Sequence, residues 1–172
     1  PDADPLEAGW IWYTFGPVKE TRSLEGLSEA DRRTYNARLV LFSDVSATIR
    51  RAVGEKIPFD AKLAFAEDQG WARSALEAGH TIIYEPQSVV YHSHRYSIRE
   101  YFKKSFDMAR SLKAFSSGGP GLPVLLAGIP LQWVYFAKSG CRAGPLRVAH
   151  ASAARTFGAA GHFLGTHHTL LP

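Results

Sequence analysis

The sequence predicts an α/β chain followed by a helical tail, and three observations carry that prediction. Short runs of strand length, rich in β-branched and aromatic residues, recur at 37–43 ("ARLVLFS"), 80–86 ("HTIIYEP") and 88–94 ("SVVYHSH"). Two segments, 66–79 and 97–115, instead carry apolar residues at helical spacing. Beyond the Gly/Pro-rich "SSGGPG" at 116–121, small and apolar residues alternate with Arg and His in a pattern that suits one more helix.

Each element has a local reason. The first 35 residues mix Pro, Asp, Glu and Gly with scattered aromatics, so "SLEGLSEADRRTY" reads as a loop leading into a short helix, with no site there. "ARLVLFS" reads as a strand, and "SATIRRAV" at 46–53 as a second strand or the first turn of a helix. "GEKIPFDAKLAF" holds both Gly and Pro and reads as a connection. In "FAEDQGWARSALEAG" at 65–79, Ala72, Ala75, Leu76 and Gly79 fall at i, i+3, i+4 and i+7, with Gly79 placed to end the helix. The turn-like "EPQ" separates the next two strand candidates. After them Ile98, Tyr101, Phe102, Phe106, Ala109 and Leu112 share one helical face, with charged residues opposite.

Composition narrows the functional classes. A chain of 172 residues with 45% apolar content can bury one sizeable core. A single cysteine, Cys141, excludes an internal disulfide and a cysteine-based zinc site. The net charge of +4 is unevenly spread: from Ala114 to Pro172 there is no Asp or Glu, while Lys138, Arg142, Arg147 and Arg155 are present. Such a tail suits an anionic surface. Four basic residues are thin for tracking nucleic-acid phosphates, so lipid head groups are the expected partner and nucleic acid is not. The 16 uncharged residues at 122–137 are interrupted by Pro130 and fall short of the roughly 20 that span a bilayer, which favours an interfacial or buried segment. The start, Pro-Asp-Ala-Asp-Pro, reads as mid-chain rather than as a leader.

Chemistry concentrates in three places. Glu67 and Asp68 sit side by side in the first turn of the 66–79 helix, where an acid stabilises free N–H groups and the dipole by a few tenths to about 1 kcal/mol. They are either helix punctuation or a carboxylate base at a cleft edge, and in the second case the helix N-terminus would hold the base ionised and weak. His92 and His94 alternate, so on a strand both imidazoles face one side; they are a solvated pair or, with oxygen donors from elsewhere, ligands of a Mg²⁺ or Mn²⁺ ion. Arg50 and Arg51 are either a phosphate clamp or a solvated edge. Trp71 suits the core better than a sugar-stacking platform. The sequence holds no Gly-rich phosphate loop, nucleophile elbow or zinc signature.

In order, "FSDVSATIRR", "PF", "EDQGW", "YEP", "VVYHSH" and an amphipathic helix resemble the C-terminal half of the catalytic domain of family 2 inverting glycosyltransferases, particularly the bacterial rhamnosyltransferase branch. The likeness covers residues 39–112. It implies part of a GT-A fold, a mixed sheet with flanking helices, in which residues 1–115 form the acceptor-side half and 116–172 a membrane-associated tail. It implies Asp68 as general base, with Glu67, Trp71 and Ser46 at the acceptor, although Asn is frequent in the family where Ser46 stands. Arg50 and Arg51 would meet the donor diphosphate and His92, or failing it His94, a divalent Mg or Mn ion.

The donor-binding half of such an enzyme has no counterpart here. Asp2 and Asp4 are not its metal motif, because no apolar strand precedes them. The resemblance therefore implies a nucleotide-sugar donor, a lipid-linked or polysaccharide acceptor and a cytoplasmic location at the inner membrane face. It also implies poor activity and solubility for this stretch alone. The competing expectation is a non-catalytic membrane-surface or scaffold module in which the two acids only cap a helix.

Overall fold

The computed structural model describes residues 14–30, 39–92, 94, 96–113 and 145–170. Two strands pair among them, β1 (Glu20–Arg22) and β2 (Ile82–Tyr84), antiparallel with Glu20 opposite Tyr84, Thr21 opposite Ile83 and Arg22 opposite Ile82. The helices are α1 (Arg51–Gly54), α2 (Glu67–Glu77), α3 (Ile98–Lys113) and α4 (Pro145–Thr166), with short 3₁₀ turns at Asp44–Ser46 and His168–Leu170. The described part is thus helices with a small two-stranded sheet, compatible with the α/β class.

The pleat sorts the sheet residues. Arg22 and Ile82 point into the core, whereas their neighbours Thr21 and Ile83 face solvent. Against that inner face pack Leu24, Val40, Ala72 and Leu76, with Leu27, Leu39 and Phe42 at the margin. Arg22 is buried without being stranded: its guanidinium meets the Glu20 carboxylate at 2.8 Å and donates to the Leu41 carbonyl. One side chain thereby ties β1 to the 39–42 segment. Further ties join the same regions, since Tyr84 donates to the Gly16 carbonyl at 2.9 Å and Lys19 pairs with Glu85 at 2.8 Å.

The sequence expectations for strands fare unevenly. "HTIIYEP" contains β2 and "EPQ" turns, with the Ser88 N–H bonded to the Glu85 carbonyl at 3.1 Å. "SVVYHSH" is not a strand: Val89, Val90 and Tyr91 are exposed and extend no sheet among the described residues. Residues 39–43 contribute Val40 to the core without strand pairing. The β1 strand lies where only a loop was expected. The boundary expected at 115/116, the 122–137 segment, and residues 31–38 of the first expected helix lie outside the described residues.

The helical expectations agree with the structure. In α2, Trp71, Ala72, Ala75 and Leu76 form the buried stripe. It ends as foreseen, with Gly79 at φ +83°, its N–H bonded to the Leu76 carbonyl at 3.0 Å and the His80 N–H to the Ala75 carbonyl at 2.9 Å. "SATIRRAV" resolves into the short α1.

Helix α4 packs on α3 through small residues. Ala151, Ala154, Gly158, Gly161 and Gly165 are buried along one stripe, and a Cβ built on Gly161 or Gly165 would stand 2.4 Å from the Phe102 carbonyl oxygen or 2.2 Å from that of Phe106. Gly158 lies against Tyr101 and Ser105, Gly165 against Phe106 and Ala109, and Thr169 against Lys113, so the two helices run in the same direction. Among the described residues no helix is long and apolar enough to cross a membrane.

This contact makes a measurable demand. Gly165→Ala drives a methyl into the α3 backbone and is expected to cost about 1–3 kcal/mol in chemical denaturation. Gly54→Ala, whose methyl would meet only Ile49 at 3.5 Å, leaves stability unchanged or raises it.

Candidate active site

Helix α2 starts abruptly. Its N-cap, Ala66, is buried and lies in the left-handed region at φ 58°, the only non-glycine to do so among the described residues, and it offers no side-chain cap. The chain is held there from outside, because the Phe65 N–H reaches the buried Ser111 hydroxyl of α3 at 3.4 Å. The turn delivers Glu67 and Asp68 onto the first turn of α2 at different azimuths. Asp68 precedes Trp71, Ala72, Ala75 and Leu76 by three, four, seven and eight residues, so it heads the buried stripe. Glu67 shares its face with Gly70 and Ser74.

Burial pushes the Asp68 carboxyl up from 3.8 to about 6, with smaller upward pushes from the neighbouring charges of Glu67 and Asp44. A hydrogen bond from the Gln69 N–H to its Oδ1, 2.7 Å, opposes the shift without cancelling it. The sequence expectation of a weak base held ionised by the helix end is therefore corrected: desolvation outweighs the N-terminal field. A half-buried carboxylate of this kind is ionised at neutral pH yet about two units more basic than an ordinary aspartate.

Loops complete the surroundings. Asp44, which the sequence reading passed over, opens the 3₁₀ turn Asp44–Ser46 and lies close enough to Asp68 for its charge to be felt. Ser46 in the same turn is 3.3 Å from the Ser88 hydroxyl, which fastens this loop to the one that follows β2. No local pattern marks Asp44; its place beside Asp68 arises from the fold.

The remaining expected site residues divide. Trp71 is turned inward, with its indole N–H bonded to the Ile57 carbonyl at 2.7 Å and its ring 5.3 Å from Phe42 and 5.7 Å from the stacked Phe59. At 7% exposure it serves packing, and the more exposed Phe59 is the ring that solvent meets. A shallow cleft of about 340 Å³ borders Pro58, Leu63, Gly70 and Ser74. It opens on the Glu67 side of α2 and Asp68 does not line it, so the chemistry of Asp68, rather than this cleft, marks the candidate site. Arg51 is spent on Glu55 at 2.8 Å, while the exposed Arg50 has no ion-pair partner among the described residues.

The His pair does meet, but not on a strand. The His92 and His94 rings lie 4.4 Å apart and perpendicular, and His94 lies 5.0 Å from Tyr96. Among the described residues no three His, Cys, Asp or Glu converge as a metal would require. These residues do not fit a divalent ion by themselves.

Comparison with known proteins gives the chemistry a context. The chain is 36% identical over 81 residues to the O-antigen chain rhamnosyltransferase RfbN of Salmonella typhimurium, covering 46% of this chain and 26% of that protein. It is 30% identical over 107 residues to the O-antigen chain rhamnosyltransferase WbaN of Salmonella anatum, covering 62% of this chain and 32% of the relative. The chain thus spans about a quarter to a third of the length of these curated relatives. No family model matches it, and no solved structure matches it either. What is shown is a rhamnosyltransferase-like sequence.

The Asp68 shift has a thermodynamic sign. A folded-state value raised above the unfolded one stabilises the protonated fold; that contribution is full below about pH 3.8 and is lost as pH rises through about 6. Asp68→Asn is therefore expected to flatten the fall in stability between these values and to leave the chain more stable than the parent at pH 7, as read by denaturant midpoints across the range. Direct titration of the Asp68 carboxyl carbon by NMR should find its midpoint near 6.

Proposed function

We propose that this chain carries the acceptor side of an inverting glycosyltransferase, rhamnosyltransferase-like and of the GT-A type. It uses a nucleotide-diphosphate sugar donor and a lipid-linked or polysaccharide acceptor. The observation that carries the reading is Asp68: a single carboxylate in a rigid first turn, desolvated to a value suited to proton abstraction, within a sequence similar to O-antigen rhamnosyltransferases.

The reaction asks little more of these residues. Asp68 takes the proton of the acceptor hydroxyl as its oxygen attacks the anomeric carbon. The new C–O bond forms opposite the breaking one, and the nucleoside diphosphate leaves with the bonding electron pair, so the configuration inverts. Glu67, which accepts no hydrogen bond from the described residues, is available to a second acceptor hydroxyl, and Ser46, in the turn that Asp44 opens, is a further candidate for acceptor contact. Burial keeps the proton affinity of Asp68 high, with smaller contributions from the charges of Glu67 and Asp44. Arg50, exposed and without an ion-pair partner among the described residues, is on offer to the departing diphosphate. A Mg or Mn ion, where one is bound, would neutralise that diphosphate; its ligands are not supplied by the described residues.

The setting follows from the tail. The carboxylate-free stretch from Ala114 and the exposed Leu146 and Phe157 of α4 suit a membrane surface, so we place the reaction at the cytoplasmic face of the cell membrane, where a lipid-linked acceptor is held.

Asp68→Asn, made in the protein that carries this sequence, is expected to lower transfer of sugar to acceptor at least about 100-fold while the circular dichroism spectrum is unchanged. In the parent, kcat/KM should rise with pH to a plateau through an apparent value near 6. Transfer within a few-fold of the parent in Asp68→Asn would remove Asp68 from the chemistry and favour a scaffold role for the acids.

A further inference from the structure

Helix α3 buries two side chains, Ala109 and Ser111, and they leave it on opposite sides. Ala109 meets α4, where a Cβ built on Gly165 would stand 3.0 Å from its methyl. Ser111, two residues and about 200° further round, faces away from α4. There its hydroxyl receives the Phe65 N–H at 3.4 Å, the one hydrogen-bond partner it has among the described residues. A serine is a costly choice for a buried helix position, because its hydroxyl must be satisfied and its helix propensity is below that of alanine. Alanine would serve the packing; the oxygen serves Phe65.

The turn that Ser111 meets does not hold itself. Ala66 sits at φ 58°, a region that alanine enters at a cost, and no side chain caps the helix it opens. Two backbone bonds bracket this residue, the Phe65 N–H to Ser111 before it and the Gly70 N–H to the Ala66 carbonyl, 2.9 Å, after it. The second is α2's own first bond and survives if the chain before Ala66 swings away. Among the described residues the first is the one hydrogen bond that ties residues 64–66 to another element. Asp68 stands two residues beyond. Its Oδ1 is held within its own turn by the Gln69 N–H, so where the carboxylate lies relative to the rest of the protein follows from how α2 is entered. The charges of Glu67 and Asp44 act on it, but neither fixes its place.

We propose that Ser111 is a positioning residue for Asp68: its hydroxyl, carried by the α3–α4 pair, locks Ala66 in the left-handed conformation and thereby fixes where the base lies. The inference rests on the transferase reading for what Asp68 does. How Asp68 is held rests on the geometry of residues 65, 66 and 111.

Amide hydrogen exchange in the protein that carries this sequence comes first, because it needs no variant. The Phe65 N–H should exchange as slowly as the core amides of α2, and exchange at the rate of an exposed loop would overturn the proposal. Ser111→Ala then removes the acceptor while keeping most of the buried volume. In that variant the NMR midpoint of Asp68 should fall from near 6 toward 3.8 as the turn opens to water. The kcat for sugar transfer should drop about tenfold, with the acceptor KM within about twofold of the parent. General loosening of the fold predicts no rescue; a hold on Ala66 does. Ala66→Gly, which enters the left-handed region freely, should restore much of both the midpoint and kcat to Ser111→Ala. A folded Ser111→Ala whose Asp68 midpoint stays near 6, or a deficit that Ala66→Gly leaves untouched, sinks the assignment. The two readings fail separately. Full transfer in Asp68→Asn removes the base while a fallen midpoint in Ser111→Ala still upholds the hold on the turn, and lost transfer in Asp68→Asn with an unmoved midpoint in Ser111→Ala removes Ser111 alone.

Discussion

The buried stripe of α2 is the constraint on which the rest of the described structure depends. Trp71, Ala72, Ala75 and Leu76 must leave water for the core with Leu24, Val40 and Ile82 to exist, and these residues recur at the helical period. Asp68 continues that period by one turn toward the N-terminus. The packing that forms the core therefore strips water from one carboxylate, and no separate device is needed to raise its proton affinity. Glu67, one residue earlier, leaves the helix about 100° further round and lies off that stripe. Two adjacent acids of similar chemistry acquire different roles from the direction in which each one leaves the helix.

A buried arginine organises the opposite side of that core. Arg22 would be costly to bury alone, and it is tolerated because Glu20 and the Leu41 carbonyl share its donors. In meeting them it brings the 39–42 segment against β1, and that segment runs directly into the turn that holds Asp44 and Ser46. The Ser46–Ser88 contact then joins this turn to the loop after β2. The surroundings of Asp68 are in this way assembled from three distant stretches of chain, each fixed by a polar contact rather than by regular secondary structure.

What the sequence made legible follows the strength of periodic signals. Helices α2, α3 and α4 were readable because each repeats its apolar face over several turns, and Gly79 announced the end of α2 by its freedom at positive φ. The capping box of α3 is also written plainly, as Ser97 three residues ahead of Glu100, although it was not among the signals read. The strands were not legible. "ETR" has one β-branched residue between two charged ones and is a strand because Ile82–Tyr84 lies alongside it, whereas Val89, Val90 and Tyr91 have the composition and remain exposed. Strand propensity reports a fit to neighbours, and neighbours are a property of the fold. The site shows the same division. The residue type and position of Asp68 are visible in the sequence, but its basicity comes from burial, which a position at a helix end does not reveal. Asp44 was invisible, since only folding brings it near.

Helix α3 connects these parts. Its buried Ser111 holds the Phe65 N–H at the entrance to α2, next to the strained Ala66 that orients Asp68. The position of α3 is in turn set by the close approach of Gly161 and Gly165 to the backbones of Phe102 and Phe106. Backbone touching backbone leaves no flexible side chain to absorb a displacement. A shift of α4 must therefore move α3 with it, and with α3 the Ser111 contact at the entrance of α2.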